Sequence, residues 1–381
     1  MLLVLERLGL GNSGSGWLAD HGLLRALLAG VVSLGLVLAF GRRAIAWLSR
    51  QFCEPIKSDS PTLRVLHAAK ASTPTMGGLL IMAAILLALL LFGNWASPTI
   101  VAALFLVVGL AALGVVDDLT KLRTARPGIS ARQKLWGQFI LSLTVAIYLY
   151  LAHRNTPAAF ERTLPLFGTS ESLGLLFVPL AVAVIVGASN AVNVTDGLDG
   201  LASGCLVLAV LGMMGAIWAV GSPHPGETRE VLVLAGAIVG ATLGFLWFNR
   251  HPAAVFMGDT GSLPLGGLLG LLAVAAKQEL LLAVVGAVFV AEAMSVILQV
   301  AYYKWRRKRI LLCAPLHHHF QFKGWSERTI VTRFWIVGIV SALAGIGLAA
   351  PLRPTARSAD ASMTTPHVDA TFAHPGELAS H

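Results

Sequence analysis

The sequence predicts an all-α polytopic membrane protein of about ten transmembrane helices, both termini periplasmic, with a polar active-site cleft on the cytoplasmic face. Three observations carry this expectation. Hydrophobic residues make up 56% of the 381, and charged ones only 12%, where a soluble domain carries about 25%. The apolar residues fall in continuous runs near the ~20 residues a helical span needs, not in the alternating ~10-residue segments of a barrel. Lysine and arginine collect in the segments that lie on one side, as cytoplasmic loops do.

Ten runs follow in order: 22–48, 75–93, 98–116, 135–152, 173–192, 201–220, 230–248, 262–276, 280–303 and 331–350. The first ends in Arg42-Arg43, like a retained span, and Glu6 stands before Arg7 where a cleaved signal would be basic. The second opens on Thr75, a capping residue, and the third ends at Asp117-Asp118. The fourth opens beside Lys134. After it, residues 153–172 hold Pro157, Pro165 and Gly168 and are expected to form a small hairpin. The fifth run ends among Asn190, Asn193 and Asp196. In the seventh, Gly236, Gly240 and Gly244 recur every fourth residue, a face for close helix packing. Only Lys277, Gln278 and Glu279 separate the eighth run from the ninth, and these two are the least distinct. Residues 1–350 thus read as a single transmembrane catalytic domain. Residues 351–381, rich in Ala, Ser, Thr, Pro and His, read as a disordered tail.

A net charge of +9 raises nucleic acid as a partner, but topology accounts for it. With the N-terminus outside, segments 41–74, 117–134, 249–262 and 304–333 face inward and hold 20 of the 28 Lys and Arg. The three cysteines, Cys53, Cys205 and Cys313, show no metal spacing.

Five polar constellations fall on that inner face. Asp117 and Asp118 are adjacent carboxylates at a span end, where repulsion and burial call for a cation, a lysine such as Lys121, or a retained proton. A solvated loop start explains the pair about as well by itself. Asn190, Asn193, Asp196, Gly197, Leu198 and Asp199 form the second group; its two amides share a helix face and its two Asp-Gly steps mark turns. Asn249, Phe256 and Asp259 form the third: Asp259 lies between glycines and offers hard oxygen suited to Mg²⁺, while Phe256 suits base stacking or interface packing. His317, His318 and His319 follow Ala314-Pro315, and their adjacency favours contact with phosphate over a zinc site. Lys70, ahead of Thr75, is a point charge suited to phosphate. Carboxylates, lysines and a divalent cation at one membrane face are phosphoryl-transfer equipment. A transporter is the competing class, with Glu292 as its intramembrane carboxylate, but its polar residues would sit near the midplane.

These motifs resemble the polyprenyl-phosphate N-acetylhexosamine-1-phosphate transferase superfamily. The resemblance runs from about residue 20 to about 350. It rests on Thr73-Pro-Thr-Met-Gly-Gly78, Val116-Asp-Asp118, Asn190-Ala-Val-Asn-Val-Thr-Asp-Gly-Leu-Asp-Gly200, Phe245-Leu-Trp-Phe-Asn249, Val255-Phe-Met-Gly-Asp259, Ser295-Val-Ile-Leu-Gln-Val300 and Ala314-Pro-Leu-His-His-His319. The Thr195–Gly200 run and the His triplet favour the muramoyl-pentapeptide branch over relatives that transfer N-acetylglucosamine phosphate. Ser72, where the family usually has Gly, and Gln321, where an acidic residue often stands, depart from the pattern.

The resemblance implies UDP-N-acetylmuramoyl-pentapeptide as donor, undecaprenyl phosphate as acceptor, Mg²⁺ as cofactor and the inner membrane as the location. The partners are then the bilayer and these two substrates, with homodimerisation open and no nucleic acid. Carried over by position, Asp117 is the proposed base for the lipid phosphate and Asp118 its necessary neighbour. Asp259 and Asn193 are the metal ligands. Lys70, Asp196, Asn249, Phe256 and Gln299 line the nucleoside side, and Thr75, Gly197, Leu198 and Asp199 also bind substrate. His317 and His318 are catalytic, near the donor phosphates, with Ala314 and His319 adjoining as substrate-binding residues. Lys121, Lys134, Asn190 and Asn193 complete the polar floor. A covalent phospho-aspartate route is the rival to direct attack.

Overall fold

The computed structural model describes residues 21–52, 70, 72–124, 126–155, 160–163, 170–220 and 225–350. The tail expected to be disordered, 351–381, lies outside the described residues, as does Cys53. The fold is nearly all helix: α1 (Gly22–Gln51), α2 (Gly78–Phe92), α3 (Pro98–Arg123), α4 (Ala131–His153), α5 (Phe177–Thr195), α6 (Leu201–Val220), α7 (Pro225–Asn249), α8 (Asp259–Ala275), α9 (Glu279–Val285), α10 (Ala287–Arg306), α11 (Leu316–Phe322) and α12 (Glu327–Ala349). Eight of these are long and apolar enough to cross a membrane, and α2 and α8 are shorter apolar helices. The chain is an all-α multi-pass membrane protein.

The outward surface agrees with that reading. Leu27, Val31, Val108, Ile140, Trp218, Ile297, Val340 and Leu343 are exposed large hydrophobics spread over six helices. That much exposed apolar area is stable against lipid and not against water. Helix α8 is the opposite case. Every residue from Asp259 to Val274 is buried, as expected of a helix that is apolar all round, and it packs against α5, α3 and α2. The glycine face of α7 meets α1. A Cβ on Gly236 would lie 2.2 Å from the Ala26 carbonyl oxygen, and one on Gly240 2.0 Å from that of Gly30. Ser33 Oγ then donates to the Ala237 carbonyl at 3.0 Å.

Two of the predicted runs change shape. The ninth, expected as one helix over 280–303, is broken at Gly286 into α9 and α10. The eighth starts earlier than expected, at Asp259, and ends where Lys277 turns left-handed (φ 59°). At 1.5 Å per residue, the 15 residues of α2 and 17 of α8 reach about 22 and 26 Å, short of a ~30 Å hydrocarbon core. Both begin beside the polar cleft. The expected hairpin in 153–172 is present as β1 (Glu161–Thr163) paired antiparallel with β2 (Ser170–Ser172).

Candidate active site

The cleft is built where the ends of α3 and α5 meet the starts of α2 and α8. Close backbone approach makes this possible. A Cβ on Gly78 would come within 2.1 Å of Gly261 N, and one on Gly114 within 2.4 Å of the Asp259 carbonyl oxygen. The strand-like segment before α2 is tied to the one before α8, with Phe256 N donating to Pro74 O (2.8 Å), Gly77 N to Phe256 O (2.9 Å) and Gly78 N to Met257 O (2.9 Å). Gly258, at φ 71°, turns the chain into α8, and a side chain there would strike Asp118 and Thr75.

These approaches bring Asp117, Asp118 and Asp259 together. Each offers a carboxylate oxygen within 4.8 Å of the others, and all three are buried. Lys121 Nζ lies 2.7 Å from Asp117, 3.3 Å from Asp118 and 3.1 Å from Asp259. Lys134 Nζ pairs with Asp259 and stands 3.5 Å from Asp117. Three carboxylates against two ammonium groups leave a formal excess of one negative charge, before Asp196 is counted.

The three aspartates are held differently. Asp118 accepts the backbone N–H groups of Asp259 (3.2 Å) and Thr260 (2.9 Å) and the Thr260 hydroxyl (2.8 Å). It therefore caps α8 from another helix, satisfying donors that a helix start leaves open. Asp117 accepts the Ile129 N–H at 3.0 Å and otherwise meets Lys121, Lys134 and the Asp259 carboxyl. Asp259 accepts from Asn193 Nδ2 at 2.7 Å, and the same amide nitrogen donates to Ser262 Oγ at 2.8 Å. Asn193, expected as a metal ligand, instead turns its amide nitrogen toward Asp259 and Ser262, and a nitrogen that donates cannot also ligate a cation.

The donor set fits a hard divalent cation: three convergent carboxylates supply oxygen ligands, and the local charge is negative. These residues can hold a metal ion.

The cleft encloses about 250 Å³ and is lined by Lys70, Thr75, Asp118, Lys121, Asn193, Asp196, Gly197, Leu198, Asp199, Asn249, Phe256, Gly258 and Asp259. Burial pushes the Asp196 carboxyl up to about 7, with the Asp259 and Asp118 charges adding to the rise. Asn249 is committed within the protein. Its Oδ1 accepts from Gly200 N (3.1 Å) and Ser203 Oγ (2.8 Å), and its Nδ2 donates to Val255 O (3.0 Å). Lys70 meets Asp199 and Glu327, each at 2.7 Å. His251 Nδ1 lies 3.0 Å from Asp199 and 3.5 Å from Glu327.

Other expected site residues stand away from the lining. Asn190 donates to Gln138 Oε1 (2.9 Å) and the Val186 carbonyl (2.8 Å), an interhelical link between α5 and α4. Gln299 clamps the loop after α10, accepting from Ile310 and Leu311 N–H and donating to Leu311 O, each at 3.0 Å. His317 is fully buried behind the Gly197 turn and pairs with Glu292. His318 lies against the His317 ring, with its Nδ1 2.7 Å from Gln321 Oε1. His319 accepts the Leu312 N–H at 3.1 Å. What desolvation it has and nearby Lys323 hold its imidazole below the usual range, against a cationic role. Ala314 precedes α11 and is likewise outside the cleft lining.

Sequence reasoning passed over Glu327 and Thr260. Glu327 opens α12 in no motif, and only the fold brings it to Lys70. Thr260 directly follows Asp259, but nothing in the sequence marks its bond to Asp118.

The sequence of residues 99–277 matches the model of Glycosyl transferase family 4. That segment spans α3 to the end of α8 and contributes all three convergent aspartates and both lysines that pair with them. The match supports a phosphoglycosyl transferase that acts on a polyprenyl phosphate.

Proposed function

With that match as the premise, we propose that the chain transfers phospho-N-acetylmuramoyl-pentapeptide from UDP-N-acetylmuramoyl-pentapeptide to undecaprenyl phosphate in the inner membrane, releasing UMP. The single observation behind it is the meeting of Asp117, Asp118 and Asp259 with Lys121 and Lys134 at one end of the helix bundle. A membrane-anchored phosphate and a water-soluble nucleotide can reach such a site together.

Asp117 is the group with oxygen to spare. It removes the proton from the lipid phosphate, whose oxygen then forms a bond to the donor β-phosphorus. The bond from that phosphorus to the bridging oxygen breaks, and UMP leaves. Lys121 and Lys134 lower the repulsion between two polyanions, which is the main barrier to their approach. Asp259, with Asp117 within reach, would hold Mg²⁺, which supplies charge neutralisation at the pyrophosphate. Asp118 keeps α8 in register, so that Asp259 faces the cleft. The Gly197–Asp199 turn, Lys70 and Phe256 form the nucleotide wall.

The branch assignment rests on the Thr195–Gly200 run and the His317–His319 triplet. UMP release should be measured from the purified protein with and without undecaprenyl phosphate and Mg²⁺, with UDP-N-acetylglucosamine offered in parallel. Release only from the muramoyl donor, dependent on both additions, is the expected result. Preference for UDP-N-acetylglucosamine would move the chain to the sister branch. Release from neither would end the transferase reading and favour transport.

A further inference from the structure

Glu292 belongs to none of the quoted motifs, yet it sits fully buried midway along the run formed by α9 and α10. Its Oε1 accepts the backbone N–H of His317 at 3.2 Å. Its Oε2 stands 3.2 Å from His317 Nδ1, and both side chains are 0% exposed. The imidazole continues toward the cleft wall: a Cβ on Gly197 would fall 2.2 Å from His317 Nε2. Gly197 and Leu198 line the cleft on its other face. Glu292 Oε2 and both ring nitrogens of His317 are buried with no hydrogen-bond partner of good geometry. Buried polar atoms are nearly always satisfied, so three together call for an explanation.

We propose that Glu292 is a positioning residue: through His317 it seats the Gly197–Leu198 turn that walls the sugar-nucleotide side of the cleft. This rests on the transferase reading above. A carboxylate only accepts hydrogen bonds, so the ring nitrogen facing it, Nδ1, carries a proton. In the neutral ring that leaves Nε2 as a bare lone pair against Gly197, where the tight approach has no room for more. Gly197 has no Cβ for the same reason. A partner that fixes the tautomer and orientation of a histidine is a familiar device. Here the ring it orients supports a loop.

Glu292→Gln tests the idea, because it keeps the shape and one acceptor oxygen. That oxygen still takes the His317 N–H, while the amide NH₂ turns toward Nδ1 and moves the ring proton to Nε2, against Gly197. In the full-length protein with ¹⁵N-labelled histidine, the His317 signals, assigned by their loss in His317→Asn, should show a protonated Nδ1 in the wild type. In Glu292→Gln they should show a protonated Nε2 and an unprotonated Nδ1. The KM for the UDP-sugar donor should rise about tenfold while kcat changes less than about threefold and the KM for the lipid acceptor holds. An unprotonated Nδ1 in the wild type, or an unchanged donor KM in a folded Glu292→Gln protein, overturns the proposal. If the wild type releases no UMP from any UDP-sugar, the transferase reading fails. The ¹⁵N signals still decide whether Glu292 holds His317, and a Glu292→Gln protein that does not fold leaves the wild-type measurement decisive.

Discussion

Asp117 and Asp118 are neighbours in the chain with different surroundings. Asp118 spends its oxygens on the start of α8, whereas Asp117 faces two lysines and one loop amide. Replacing each by Asn should therefore separate chemistry from stability. Asp118→Asn weakens charge-assisted bonds to Asp259 and Thr260 and exposes the α8 dipole to a neutral partner, costing roughly 1–3 kcal/mol. A lower unfolding temperature in detergent is the readout. Asp117→Asn should unfold near the wild-type temperature but lose turnover by about 10²-fold or more, as expected for a general base. Near-normal turnover in Asp117→Asn would exclude it as the base. Asp196 gives a pH signature. Its folded pKa, about 7, lies above the ordinary 3.8. The stabilising contribution of its protonated form is complete below pH 3.8 and is lost as pH rises toward and through 7. Asp196→Asn should remove that part of the decline, so the gap in unfolding temperature between wild type and variant widens from pH 4 to pH 7. A constant gap would show that Asp196 does not titrate there.

At the scale of elements, the site depends on helices that touch backbone to backbone. The Gly236–Gly244 face was legible in the sequence because a four-residue repeat of glycine has one physical use in a span, and α1 occupies it. The breaks were less legible. Nothing in the apolar run 280–303 marks Gly286 as a helix end, since a lone glycine is tolerated within helices. The polar motifs showed which residues gather at one end of the bundle. They did not distinguish those that line the cleft, such as Lys70 and Asp196, from those that only hold it together, such as Gln299 and Asn190. An amide facing substrate and an amide clamping a loop look alike until their partners are known. Gly240→Leu tests the packing argument. Its side chain would enter the space of the Gly30 carbonyl and Ser33 Oγ, and overpacking of this kind costs roughly 1–3 kcal/mol or more. The variant should unfold at lower temperature and lose activity together. Gly35→Leu, on α1 where nothing stands within 4 Å, should leave both unchanged.

At the scale of the whole molecule, the two ends of the bundle differ in kind. One end carries the aspartates, the cleft and the basic run Lys304–Arg309, all exposed from Lys304 onward. The other is closed by contacts that stitch helices to each other: Arg25 holds Glu230 at 2.7 Å and reaches the Phe92 carbonyl, and Asn94 N–H donates to Glu230 at 2.9 Å. Glu230 and Arg25 are both buried, so removing one leaves an unpaired charge and not a vacant site. The difference in charge predicts the orientation: basic ends of membrane proteins tend to stay on the cytoplasmic side, which under the proposed function is the side of the nucleotide donor. This is testable without any assay of chemistry. In a background with Cys53, Cys205 and Cys313 replaced by Ser, Lys308→Cys and Arg154→Cys place single thiols at exposed positions on opposite ends. In intact cells with the outer membrane opened, a membrane-impermeant maleimide should label Arg154→Cys at once and Lys308→Cys only after the inner membrane is permeabilised. The reverse pattern would put the cleft outside, away from cytoplasmic nucleotides, and would remove the donor from reach of Asp117.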